Sequence, residues 1–173
     1  GATIQKETKF YLVPNSNWTQ ASARFAIYFY GNGDAWVSMS DPDRDGIYEG
    51  TSPSDKTYTN LIFCRMNPSA AENKWDNKWN QTGNLTYDGT KNQYTINSGS
   101  LDAGTWSTYT PPVTYTATIK FKSPDSWSAV PNVHIFYDNN NVLVNNKAMT
   151  LEGTDTSGKK WYKYTYSVTT KYT

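Results

Sequence analysis

The sequence predicts an all-β protein built as two tandem β-sandwich modules, the second of them shortened. Three observations point there. Aromatic residues make up 16% of the 173 residues, while hydrophobic residues of every kind reach only 36%. The core must therefore lean on Tyr, Trp and Phe, which suit pleated, half-buried surfaces. Turn residues punctuate the chain at short intervals, at Pro14-Asn15, Gly31-Asn32-Gly33-Asp34, Asp45-Gly46, Asp88-Gly89, Asp138-Asn139-Asn140-Asn141 and Ser157-Gly158. One pattern also occurs twice, on either side of Thr108-Tyr109-Thr110-Pro111-Pro112-Val113. Paired prolines lack amide donors and favour an extended linker, which places the modules at residues 1–110 and 111–173.

The first copy runs Phe10-Tyr11-Leu12-Val13-Pro14, Trp18, a strand from Phe25 to Tyr30, Met39, the strand Gly46-Ile47-Tyr48-Glu49-Gly50, then Lys56-Thr57-Tyr58-Thr59. The second runs Ile119-Lys120-Phe121-Lys122-Ser123-Pro124, Trp127, Asn132-Val133-His134-Ile135-Phe136-Tyr137, Met149, Lys160-Trp161-Tyr162-Lys163-Tyr164, then Thr170-Lys171-Tyr172-Thr173. In the first copy the apolar strand Asn60-Leu61-Ile62-Phe63 follows at once; the second copy stops before any counterpart. The expectation is a natural chain that continues, because an open sheet edge is a liability. Short strands at this spacing, each with one apolar face, fit immunoglobulin-like sandwiches. One short helix is expected, where Ser69-Ala70-Ala71-Glu72 forms a capping-box pattern after Pro68 and Trp75 and Trp79 lie four apart.

Charge and composition exclude several functions. Sixteen Lys and Arg against fifteen Asp and Glu leave a net charge of +1, and no basic block is present to neutralise phosphates. Nucleic acid is not an expected partner, nor is an anionic membrane surface. The mean hydropathy is −0.75, and no apolar run is long enough for membrane insertion. Cys64 is the only cysteine; among Leu61, Ile62, Phe63 and Met66 it reads as a buried, inert thiol. His134 is the only histidine, so no Ser-His-Asp arrangement or His-based metal site follows from it. The four glutamates, Glu7, Glu49, Glu72 and Glu152, lack the apolar settings that raise a pKa for glycoside cleavage. The chain is thus expected not to be an enzyme, and no cofactor is expected. Asp41, Asp43 and Asp45 with Gly46 have the D-x-D-x-D-G form of a calcium loop. The final position of a twelve-residue loop is Ser52 instead of Glu, so a polar hairpin turn is the expectation and calcium the alternative.

The remaining signal is an aromatic face. On the strand from Phe25 to Tyr30, alternation sets Phe25, Ile27 and Phe29 on one face and Tyr28 and Tyr30 on the other, with Trp36 just past the turn. Tyr and Trp carry polar tips that need partners when buried. An exposed aromatic cluster beside a Gly/Asn/Asp turn suits sugar, whose C–H face stacks on an electron-rich ring while its hydroxyls seek polar partners. The polar residues of Asn73-Lys74-Trp75-Asp76-Asn77-Lys78-Trp79-Asn80-Gln81-Thr82 could supply them.

Tyr28-x-Tyr30 followed by Trp36, then Leu61-Ile62-Phe63, then Gln81-Thr82-Gly83-Asn84-Leu85, resembles the starch-binding modules of carbohydrate-binding families 25 and 26. Val133-His134-Ile135-Phe136-Tyr137 and Lys147-Ala148-Met149 carry the likeness in the second copy. The resemblance covers most of residues 8–98 and, in shortened form, 115–173. It implies small β-sandwiches appended to bacterial amylases or surface proteins, hence an extracellular or cell-surface location and a catalytic or anchoring domain in the same natural chain. It also implies that Tyr28, Tyr30 and Trp36 cradle an α-1,4-glucan, that Gln81 contacts its hydroxyls, and that Lys74, Lys78 and Asn80 assist. The segment from Arg65 to Lys78 is longer than that pattern, so Trp75 and Trp79 are expected to pack beneath the site or extend it.

The second copy departs where the likeness carries function. Aligned outward positions set His134, Phe136 and Asp138 against Ala26, Tyr28 and Tyr30, and Val144 is expected in the place of Trp36. His134 and Phe136 are therefore candidates for a weaker second site. The alternative from another class is a β-sandwich adhesin or scaffold that uses the aromatic face for protein or another glycan.

Overall fold

Alternation of side chains, not helical periodicity, organises the molecule. The computed structural model describes residues 1–137 and 141–169, and it is all-β. Among the described residues, helical geometry is confined to the 3₁₀ turns Gln20–Ser22 and Trp75–Asn77, and no helix is long and apolar enough to cross a membrane. The chain divides into two compact units, Gly1–Thr110 and Pro111–Thr173.

The first unit contains β1 (Lys9–Val13), β2 (Arg24–Tyr30), β3 (Asp34–Ser38), β4 (Tyr48–Thr51), β5 (Asn60–Met66), β6 (Lys78–Gln81), β7 (Leu85–Thr86), β8 (Gln93–Ile96) and β9 (Gly104–Ser107). Two sheets result. One has the order β4-β1-β8-β9, the other β3-β2-β5-β6, with β7 added beside β5. Pairing is antiparallel except between β1 and β8.

Alternate residues of each strand meet in one core. Phe10 and Leu12 on β1, Phe25, Ile27 and Phe29 on β2, Leu61 and Phe63 on β5, and Tyr94 and Ile96 on β8 are buried there with Trp18 and Tyr58. Each fully buried large side chain of this kind stabilises by about 1.5–3 kcal/mol. Trp18 also settles its polar tip: its indole N–H donates to the Leu101 carbonyl at 3.0 Å. The β2–β3 hairpin turns on Gly31 and Gly33, at φ of +99° and +67°, a region costly for other residues. A Cβ on Gly31 would run into Thr59.

The expected helix around Ser69 does not form. The Arg24 guanidinium donates to the carbonyls of Asn67, Ala70 and Glu72, oxygens that a helix would use internally. Asn67 Oδ1 accepts from the Ser69 amide, Lys74 is extended, and the chain enters strand β6 at Lys78. Trp75 and Trp79 therefore do not share a helical face.

The second unit contains β10 (Thr114–Lys122), β11 (Asn132–Tyr137), β12 (Asn141–Ala148), β13 (Thr150–Thr154) and β14 (Lys160–Thr169), paired as β10-β14-β13 and β11-β12. Its pairing reproduces part of the first unit. β10 meets β14 as β1 meets β4, and β11 meets β12 as β2 meets β3. The Met149 amide bonds the Pro131 carbonyl much as the Met39 amide bonds that of Phe25. Counterparts of β5 through β9 do not occur among the described residues. Burial is accordingly thin: Val144, Met149 and Tyr162 are buried, while Trp127, Val130, Phe136, Val142 and Leu151 are exposed.

One registration differs from expectation. Phe136, the counterpart of Tyr28, pairs with Val142, whereas Val144 pairs with Ile135 and is buried. Register shifts flank Ile135, and such irregularities move side chains to the other face. The position matching Trp36 is thus Val142. Asp138, the turn through Asn140, and residues 170–173 lie outside the described residues.

Candidate functional site

The outer face of the β3-β2-β5-β6 sheet carries its own small apolar floor. Ala26, Ile62, Cys64 and Met66 are buried there, and Tyr28, Tyr30 and Trp36 pack on them half-buried. The strand register explains the assembly, since Tyr28 stands opposite Trp36 on β3 and Ile62 on β5, and Ala26 opposite Cys64. Side chains directly opposite one another share a face. The three aromatics therefore belong to neither the main core nor bulk solvent. Cys64 is inert in this floor, its thiol pushed up to about 12 by burial, with the nearby Lys78 ammonium acting the other way.

The rings lie in several planes. Tyr28 and Tyr30 stack with centroids 5.6 Å apart and 23° between planes. Trp36 sits 4.9 Å from Tyr28 at 53°. Trp75 joins them, 4.7 Å from Tyr28 and 4.7 Å from Trp36, at 64° and 65°. Its 41% exposure makes it the most open ring of the four. The sequence marked Trp75 only as something that packs beneath or extends the site; its contact with both rings depends on the path of residues 67–74, which local periodicity misassigns.

Polar groups rim the cluster. The Tyr28 hydroxyl donates to Asp34 Oδ2 at 2.7 Å. That bond, with desolvation and the carboxylate's charge, raises the phenol to about 12. Gln81 stands opposite Cys64, and Lys78 opposite Met66, both on the aromatic side. Lys78 Nζ donates to Gln81 Oε1 at 2.6 Å and lies 5.5 Å from the Trp75 ring centre.

Three expected contributors are elsewhere. Asn80 stands opposite Arg65 on the other face of the sheet, where its amide donates to the Leu101 carbonyl at 2.8 Å. Alternation with its neighbour Gln81 turns Asn80 away from the rings, and the bulge beside Met66 returns Lys78 to the aromatic side. Trp79 is likewise stacked under the Arg65 guanidinium at 4.6 Å. Lys74 is exposed and pairs with Glu72 at 3.5 Å; no contact ties it to the rings.

In the second unit His134 and Phe136 stand 5.9 Å apart at 52°, and Phe136 is 64% exposed. No third ring faces them among the described residues, because the hairpin partner of Phe136 is Val142. The ligand atoms of Asp41, Asp43 and Asp45 lie within 4.8 Å of one another. The Asp41 carboxylate takes the Asp45 and Gly46 amides, at 3.2 and 2.9 Å, and Asp45 takes that of Ile47. These bonds bend the chain before β4, which therefore begins at Tyr48. Burial raises the Asp43 carboxyl, helped by the Asp41 and Asp45 groups beside it.

No family model, curated protein or solved structure matches the chain. The chemistry of the site is argued from its own geometry. Inclined π-faces over an apolar floor, with an amide, an ammonium and a carboxylate at the rim, can hold a ligand that offers apolar ring faces and peripheral hydroxyls.

Proposed function

We propose that the chain is a non-catalytic starch-binding protein, two tandem β-sandwich modules that hold an attached enzyme or a bacterial cell to α-1,4-glucan outside the cell. The observation that carries this is the face of Tyr28, Tyr30, Trp36 and their polar rim, standing opposite the strand face that builds the core. A pyranose stacks its weakly polarised C–H face on such rings, and Gln81, Lys78 and Asp34 are placed for its hydroxyls. The inclinations of 53° to 65° favour a curved glucan. A flat β-1,4 ribbon presents coplanar sugar faces and would engage one or two rings at a time.

The site is a shallow, preformed surface, so each contact is modest, and a linked second module raises retention on polymer only if it binds too. Starch-containing native gels test the proposal. The chain should be retarded, soluble maltodextrin should relieve the retardation, and Tyr28→Ala should abolish it. Mobility unchanged by starch, or relief by a β-glucan in place of maltodextrin, sinks it. Capture of a protein partner that competes at Tyr28 would instead favour an adhesin.

A further inference from the structure

Residues 67–75 cross the aromatic face on a path that no strand dictates. One guanidinium gathers four of their acceptors. Arg24 shares the outer face of β2 with Ala26 and Tyr28, and its Nε donates to the carbonyls of Asn67 and Ala70, at 3.2 and 2.8 Å. Its terminal nitrogens reach Asn73 Oδ1 and the Glu72 carbonyl. The Asn67 amide closes the base of the loop on the Asn77 carbonyl at 2.8 Å. Asn73 donates to the Ser38 hydroxyl at 2.9 Å, tying the loop to the strand that bears Trp36. The product is a fixed Trp75, edge-on to two rings, with the Lys78 ammonium near its own face.

We propose that Trp75 is a fourth ligand-stacking ring that sets glucan length preference, and that Arg24 is the positioning residue that holds it there. The inference rests on the glucan reading of this face. Centroid steps of 5.6 Å from Tyr30 to Tyr28 and 4.7 Å from Tyr28 to Trp75 are on the scale of one pyranose ring. Spacings of that order let each ring serve a further sugar. Trp75 inclines by about 65° to its neighbours, so a short oligosaccharide can stack on Tyr28 and Trp36 alone. Only a longer chain that bends can also cover Trp75. A planar fork with five donors suits four clustered acceptors; a lysine ammonium has three donors and no fork.

The test is calorimetric titration of maltotriose and maltoheptaose into the full chain and its variants. Trp75→Ala should weaken maltoheptaose by about tenfold and maltotriose by much less. Arg24→Lys should do the same, and the double variant should add little to either, as expected of residues acting as one unit. Asn73→Ala, which cuts the tie to Ser38 and leaves the clamp's backbone acceptors, should reproduce a smaller form of the same length-dependent loss should Arg24→Lys disturb folding. Equal loss for both sugars, unchanged maltoheptaose binding, or tighter binding by Trp75→Ala overturns the inference; the last outcome would make Trp75 an obstruction. Tyr28→Ala separates the two levels. If it binds both sugars like the parent protein, or the parent binds neither, the glucan reading of this face fails. If it loses them while Trp75→Ala does not, only the fourth ring fails.

Discussion

Trp18 and Trp127 hold the same place in the two repeats and have opposite fates. Trp18 is fully buried, with its indole N–H satisfied by Leu101. Trp127 is 53% exposed and leans on Phe121 at 5.4 Å. Trp18 stacks on Phe25 of β2, and the Phe121 beside Trp127 belongs to β10; each has an aromatic neighbour, and what decides burial is the cover. Phe63, Tyr94, Ile96 and Trp106 close the first unit's core, and the described residues of the second contain no equivalents. A local motif thus supplies an apolar surface, and strands distant in sequence decide whether it becomes a core.

The largest effect should follow from breaking that difference. Trp18→Ala should cost the first unit about 3–5 kcal/mol, since it leaves a large cavity and removes one of the two donors to the Leu101 carbonyl. Trp127→Ala should cost under about 1 kcal/mol. Urea denaturation followed by hydrogen exchange in peptides of each unit measures both. Equal costs would mean that Trp127 is covered in solution.

The outer faces contrast in the same way. Tyr28 meets Trp36 across the first hairpin, while Phe136 meets Val142 across the second. Trp36→Ala should weaken maltoheptaose by about 2 kcal/mol or more. Phe136→Ala, on a face with no third ring among the described residues, should change binding by less than about 0.5 kcal/mol. Titration of each variant decides whether the second face takes part.

What the sequence made legible was whatever depends on alternation and pairing of neighbours. Phe25, Ile27 and Phe29 could be separated from Tyr28 and Tyr30 because a strand has a period of two, and a two-glycine turn brings Trp36 opposite Tyr28. Gln81 came from the resemblance alone, and only the pairing of β5 with β6 shows that it stands opposite Cys64 on the aromatic side. The all-β class followed from the same alternation repeated between turns. Legibility failed where a single long-range group overrides local preference. Ser69-Ala70-Ala71-Glu72 carries good helix signals, but Arg24, more than forty residues earlier in the chain, takes the carbonyls that a helix needs. With the helix gone, Trp75 joins the rings and Trp79 leaves them. Val144 was misplaced by register shifts beside Ile135, which a pattern of alternating residues cannot reveal, whereas plain alternation already sets Asn80 on the face opposite Gln81.

A smaller effect separates Tyr28 from Tyr87 and Tyr94, whose phenols are raised first by burial. Its phenol lies near 12 against an ordinary 10.0, first because it donates to Asp34. The raised value favours the neutral phenol in the folded state. The stability this lends is therefore complete below the ordinary tyrosine range and is lost as pH rises towards 12. Ultraviolet titration of phenolate should show a late-ionising tyrosine that Asp34→Asn moves earlier, while those raised first by burial, such as Tyr87 and Tyr94, stay late. An unchanged profile would mean that the Tyr28–Asp34 bond does not persist in solution.

The smallest expected effect is the most informative about what a binding face requires. Val142→Trp, made in a Trp36→Ala background, gives the second hairpin a ring opposite Phe136 at a position already exposed. An aromatic pair of this kind contributes about 0.5–1.5 kcal/mol beyond its area, so maltoheptaose binding should recover by a few-fold and no more. Two things hold it there. The first unit's rings rest on Ala26, Ile62, Cys64 and Met66, a floor contributed largely by β5, and no β5 counterpart lies beneath Phe136 among the described residues. The loop that brings Trp75 has no counterpart there either. Full recovery from one substitution would show that two facing rings suffice, and that neither the floor nor the Arg24-held loop is needed to bind glucan.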